Sequence, residues 1–256
     1  MHLIHDNDYD LLKKMNIRAV NVNFLLEYPD LSFDREITPL ILACFLGRID
    51  CVRLILENPA ADIDLPSEDS GYTPLCVACL TGNYEIVKML LEKDAEVNLP
   101  NRFSQTPFIL CFSRLNETTN LYENTKICFK MAELLLEFGA DINWIVDKTK
   151  GHTILMQFCS VKMELDEREK RMNLEVIRFL LEHGADKNMV SNKNKNAFQL
   201  AQKHSNRDAV LEVLQNTNQK YFNNNSLKKK GPIIAIDKKK VQNILIAQKS
   251  AEKPKK

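Results

Sequence analysis

A unit of about 33 residues recurs along this chain, and that recurrence limits its fold more than any single residue does. The clearest copy is GYTPLCVACLTGNYEIVKMLLEKDAEVN, from Gly71 to Asn98. Ahead of it stands ITPLILACFLGRIDCVRLILENPAADIDL, beginning at Ile37. Behind it come QTPFILCFSRLN and, after an interruption, KMAELLLEFGADIN. HTILMQFCSVK and NLEVIRFLLEHGADKN follow, and a degenerate NAFQLAQKHSNRDAVLEVLQ comes last. Pro39 to Pro74 spans 35 residues and Pro74 to Pro107 spans 33. Pro107 to Ile154 spans 47, one period with an insertion of 14. Ile154 to Ala197 spans 43, one period with an insertion of 10.

Each copy reads as a pair of helices. Thr73 before Pro74 is a favoured start, with a capping hydroxyl and a ring already set at helical φ. The small Ala78 and Cys79 mark a face that approaches a neighbour closely, and Gly82 permits the tight turn that follows. Ile86, Val87, Leu90 and Leu91 recur at helical spacing, which predicts one apolar stripe on a second helix. Gly139 and Gly184 follow LLLEF and FLLEH, where a helix ends on glycine. Only seven glycines occur, and six of them, Gly47, Gly71, Gly82, Gly139, Gly151 and Gly184, fall at these punctuation points. They serve backbone geometry, and no glycine-rich phosphate loop remains.

A helix pair of this kind cannot bury its stripe alone, so the copies must stack and the end copies must be wetter outside. Thr-Pro-Leu at the head of a 33-residue period resembles the ankyrin-repeat family, over roughly residues 37–215. The resemblance implies an all-α fold with short β-hairpin loops, stacked as an ankyrin-repeat solenoid. Residues 1–36 read as a diverged N-terminal capping helix pair, and 37–219 as five repeats with insertions near 116–129 and 163–172. Residues 220–256 read as a basic, largely extended C-terminal tail. Gln199, Gln202 and Lys203 make the last repeat more polar, as an end copy requires.

The chain departs from the family in two respects. The histidine usual after Thr-Pro-Leu is replaced by Ile41, Cys76, Ile109, Met156 and Gln199, so the hairpins are expected to rely less on hydrogen bonds and more on apolar packing. Both insertions fall between the two helices of their repeat. They are expected to project from one edge, as loops or as helix extensions, and to offer a second contact surface.

The formal net charge of +1 conceals a division. From Lys220 to Lys256 eleven lysines face only Asp237 and Glu252, a net +9, which leaves −8 on residues 1–219. Within the tail, lysine clusters flank two apolar islands, around Ile233, Ile234 and Ile236 and around Ile244 and Leu245. Such islands suit a segment that orders on binding, as an added strand or a short amphipathic helix.

No catalytic or metal constellation stands out. Cys76 and Cys79 have C-x-x-C spacing, but they fall inside a first helix, where small residues pack, and no second pair or histidine partner accompanies them. The five histidines are scattered, and Asp166, Glu167 and Glu169 read as a solvated helix extension. A non-catalytic chain with no cofactor and no metal is expected. Seven cysteines, an odd number, point to a reducing cytoplasmic setting. No apolar run approaches a membrane span, and MHLIHDNDYD lacks a signal-peptide pattern.

What the resemblance implies is recognition of protein partners. In the family, partners meet the hairpin tips and the exposed residues late in the first helix. The helix positions here are Phe45, Leu46, Leu80 and Thr81. The tip positions are Asp69 and Tyr72, then Arg102, Phe103 and Gln105, then Lys150 and His152. A scaffold follows, with the acidic solenoid on one partner and the basic tail on another within a larger assembly, cytoskeletal or ciliary. An acidic polymer surface such as a microtubule fits the tail's charge. The alternative is nucleic-acid or anionic-surface binding led by the tail. The tail has no arginine for bidentate base contacts and only Tyr221 and Phe222 for stacking, so its composition favours protein. A third arrangement has the tail folded back over Phe45, Leu46 and Leu80.

Overall fold

The stacking begins at the helix caps. Thr38, Thr73 and Thr153 stand in extended backbone just before a helix, and each hydroxyl accepts the amide N–H three residues on. These bonds, at 3.1, 3.2 and 3.4 Å, satisfy donors that a helix start would otherwise leave open. In the last repeat Asn196 replaces the threonine. Gln199, at the position of the family's histidine, reaches back to the Asn196 amide and completes a capping box.

The structure, a computed structural model, describes residues 21–27, 34, 36–116 and 121–217. They belong to the first of two units, Met1–Asn223, and the second, Asn224–Lys256, lies outside them. A short antiparallel pair, β1 (Leu26–Glu27) and β2 (Glu36–Ile37), leads into five helix pairs. These are α1 (Pro39–Phe45) with α2 (Ile49–Leu56), and α3 (Pro74–Thr81) with α4 (Tyr84–Glu92). Next come α5 (Pro107–Cys111) with α6 (Leu121–Glu137), and α7 (Ile154–Cys159) with α8 (Glu167–Glu182). The last pair is α9 (Ala197–Ala201) with α10 (Arg207–Asn216). A second strand pair, β3 (Ile145–Asp147) and β4 (His152–Thr153), precedes α7. This is the helical solenoid with short hairpins that the sequence implies.

First helices pack on first helices and second on second within the first three repeats and again between the last two. In α3 every residue from Pro74 to Cys79 is buried, because a neighbouring repeat lies on each side. In α4 only Ile86, Val87, Leu90 and Leu91 are buried, so the apolar stripe faces the stack and the rest faces out.

Both insertions add helix, over residues 121–129 and 167–172, while residues 163–166 form a short non-helical lead-in. α6 and α8 run 17 and 16 residues, against 8 and 9 for α2 and α4. The extra turns extend each second helix at its N-terminal end. α8 opens on a capping box in which Asp166 and Glu169 each accept the other's backbone N–H at 2.8 Å. Those carboxylates cap a helix. Between the third and fourth repeats an aromatic cluster fills the joint: Phe112 meets Phe108, Phe158 and Phe179, and Phe179 stacks on Phe129 with centroids 4.5 Å apart.

One series of bonds links the first four repeats to one another and to the stretch that precedes them. A short stretch, NVN, DID, EVN, DIN or DKN, recurs along the chain and ends at Asn23, Asp64, Asn98, Asn143 and Asn188, the last four each following a second helix. The side chains of Asn23, Asp64, Asn98 and Asn143 each accept the backbone N–H that opens the next stretch, at Asp62, Glu96, Asp141 and Asp186. The distances are 2.8, 3.0, 2.8 and 2.8 Å. Where the family's histidine is missing, these amides and carboxylates tie repeat to repeat.

Two substitutions test this account. Asn98→Ala removes the bond to the Asp141 N–H and a second one to the Gly139 carbonyl. It should cost about 1–2 kcal/mol and speed hydrogen exchange at Asp141. Asn98→Asp keeps the acceptor and should recover about half of the loss. The second test concerns the left-handed residue two before each cap, which is Gly71, Ser104, Gly151 or Asn194. Ser104, with φ at 63°, is the poorest fit of the four. Strain of about 1–2 kcal/mol offset by glycine's chain entropy of about 0.5–1 kcal/mol leaves Ser104→Gly stabilising, by a rise of about 2 °C in the thermal midpoint.

Candidate interaction surface

The tip loops are held by short polar side chains five or six residues ahead of each cap. Ser67 Oγ accepts the Tyr72 N–H, and Asn101 Oδ1 accepts those of Phe103 and Gln105. Asp147 accepts those of Thr149 and Lys150, and Ser191 that of Lys195. Neighbouring tips are joined through backbone: Glu68 N–H to Glu36 O, Arg102 N–H to Ser70 O, and Asn192 N–H to Lys150 O at 2.8 Å. Between the third and fourth tips the link is the Trp144 indole N–H, which donates to Ser104 O at 2.9 Å. The row is therefore rigid before any partner arrives.

The residues named from the sequence divide into two groups. Asp69, Arg102, Phe103 and Lys150 are exposed at the tips, and Phe103 is 62% accessible. His152 is half-buried in β4, and burial, with the neighbouring Lys150 charge, holds its pKa below the usual histidine value. Gln105 is half-buried, with its carbonyl oxygen taken by the Asn101 amide. Tyr72 differs from expectation. It is 8% exposed, because the chain turns inward at Gly71 to reach the Thr73 cap. Phe45, Leu46 and Leu80 also do not form an exposed apolar cluster. All three are half-buried against the core of adjoining repeats, where α1 and α3 press together. The Thr81 hydroxyl donates to Val77 O and accepts from the Asn83 amide. Ile233, Ile234, Ile236, Ile244 and Leu245 lie outside the described residues, as do residues 1–20 of the expected cap.

A feature not foreseen from the sequence lies beside the fourth and fifth tips. An open cleft of about 430 Å³ is lined by Trp144, Ile145, Met189 and Gly151 together with Asp141, Asn143, Lys148 and Asn192. Its apolar wall is Trp144, Ile145 and Met189, which fall in the pair of residues that follows a joint residue. In earlier repeats that pair is Leu65-Pro66 and Leu99-Pro100, whereas here it is Trp144-Ile145 and Met189-Val190. That substitution was the available signal. Ile145 is 41% and Val190 54% exposed.

Chemistry at this surface is confined to charge and packing. Asp147 is held well below the usual carboxylate range by the Thr149 hydroxyl and by Lys150, whose ammonium sits 3.0 Å away. All seven cysteines are free and buried. Burial raises the thiols of Cys76 to about 11 and Cys159 to about 12, far from the thiolate that reacts or binds metal. Among the described residues no group of three or more His, Cys, Asp or Glu side chains could hold a metal ion, and no helix is long and apolar enough to cross a membrane. The seven thiols should therefore resist iodoacetamide in the native chain and all react in guanidinium. Quantitative mass spectrometry of native and denatured samples reads this directly.

A family model described as ankyrin repeats (3 copies) matches residues 1–101 and 124–226. No curated protein matches the chain. The matched segments cover most of the sequence and contain every helix pair built above except α5 and the first residues of α6, so the chain belongs to the ankyrin-repeat family.

Proposed function

We propose that this protein is a non-catalytic interaction scaffold, a structural subunit of a larger intracellular assembly, cytoskeletal or ciliary. The solenoid takes one protein partner along its tip row, and the basic tail of residues 220–256 anchors to another. The observation that carries this reading is the tip row, a line of loops with exposed side chains held rigid by bonds between neighbours. A surface fixed in advance binds without the entropy cost of ordering its loops. Ankyrin repeats are generally protein-interaction modules, which agrees. The tail's net +9 suits an acidic partner surface such as a microtubule, and its apolar islands suit docking onto protein.

Proximity crosslinking from native cells, comparing the full chain with one ending at Gln219, tests both halves. The expected result is a defined set of proteins, some retained and some lost without the tail. Pelleting with polymerised tubulin should likewise depend on the tail, and pelleting unchanged by truncation removes the microtubule from the reading. Tail-dependent partners that vanish on nuclease treatment would instead make the tail a nucleic-acid-binding segment, with the solenoid as its adaptor.

A further inference from the structure

The tip row changes sign along its length. Residues 34–36 and 67–71 carry Asp34, Glu36, Glu68 and Asp69 against one cation, Arg35. Residues 101–105, 147–151 and 191–195 carry Arg102, Lys148, Lys150, Lys193 and Lys195 against one anion, Asp147. Those five cations are all exposed. A solenoid that is acidic overall thus presents a basic half-row, and the cleft walled by Trp144, Ile145 and Met189 opens within it.

We propose that this cleft is the recognition site for an acidic, extended segment of a partner protein, which seats one large apolar side chain against Trp144, Ile145 and Met189. The inference rests on the scaffold reading and names the chemistry of the solenoid's partner. Charge complementarity selects the occupant. The chain's own tail is excluded as that occupant, because its net +9 would meet like charge here. Nucleic acid suits the lysines but has no use for the apolar wall of Trp144, Ile145 and Met189. The cleft holds many times the ~30 Å³ share of one water molecule, room for a side chain with its flanking backbone. It is also preformed. The Asn192 amide donates to Lys148 O and Thr149 O at 2.9 and 3.1 Å, and the Trp144 indole is fixed on Ser104 O.

Trp144 is the chain's one tryptophan, so its fluorescence reports the cleft directly. The full chain is titrated with a short synthetic peptide of Asp and Glu around a central Leu, free of tryptophan. A saturable change is expected, weaker at higher salt. It should be weakened about tenfold or more by central Leu→Ser in the peptide, and similarly by Lys148→Glu with Lys193→Glu in the protein. A lysine-for-acid peptide should give no change. The proposal is overturned if the acidic peptide gives no saturable change, or if the serine or lysine peptides match it. It is overturned equally if poly-uridylate gives the same response, or if sedimentation shows a dimer whose Trp144 is already shielded from acrylamide. In each of these cases crosslinking in cells can still recover partners through other tips, so the scaffold reading stands or falls separately.

Discussion

The solenoid depends on short polar side chains, at Asn23 and at the ends of the first three repeats, that reach the first backbone N–H of the next joint. A repeat of two short helices makes few contacts distant in sequence, so its register against its neighbour must be set locally. Apolar stripes press the repeats together, but they are non-directional and tolerate sliding. Asn23, Asp64, Asn98 and Asn143 supply direction, with four acceptors on four N–H groups at nearly one distance. The residue two before three of these acceptors has a related task. Asn21, Asp62 and Asp141 each accept the acceptor residue's own N–H, which aims it. Asn188 is aimed in the same way by Asp186 after the last complete joint.

This arrangement accounts for the absence of the family's usual histidine. Its position holds Ile41, Cys76, Ile109 and Met156 in four repeats, all of them buried. Of these, Cys76 keeps a weak contact, its thiol 3.7 Å from Leu99 O. Apolar residues there enlarge the core, while the bonds between repeats move to the joint residues and to the backbone of neighbouring tips. The insertions follow the same logic. Placed between the helices of a repeat, they lengthen α6 and α8 without moving a cap or a joint residue, so the stack continues. The phenylalanine cluster lies where those longer helices meet.

The outer surface combines this rigid frame with a charge distribution that net charge does not describe. Net charge places an acidic solenoid beside a basic tail. Resolved by loop, the solenoid is itself polar, acidic at its first two tips and basic at its last three. A partner segment lying along the row would bind in one orientation, since reversing it places like charges together. Screening over about 8–10 Å makes that preference one between neighbouring tips. The uncharged anchor in the Trp144 cleft is a contact that salt would leave in place.

The family, the helix pairs, the caps and the glycine turns were legible in the sequence, because each follows from local chemistry at a fixed interval. Thr before Pro marks the helix start at Thr38, Thr73 and Thr106, with the hydroxyl closing the cap at the first two, and Gly71 and Gly151 take positive φ as glycines do at turns. Exposure was less legible, because it depends on the neighbouring repeat. Phe45, Leu46 and Leu80 look like surface residues in one repeat and are half-buried in the stack, while Tyr72 turns inward at a tip. The joint residues and the cleft were hidden for the same reason. Asn98 acts on Asp141, and Trp144 and Met189 share a wall although 45 residues separate them. Periodicity identifies equivalent positions, but tertiary structure decides which of them meet, because contact between repeats is a property of the stack.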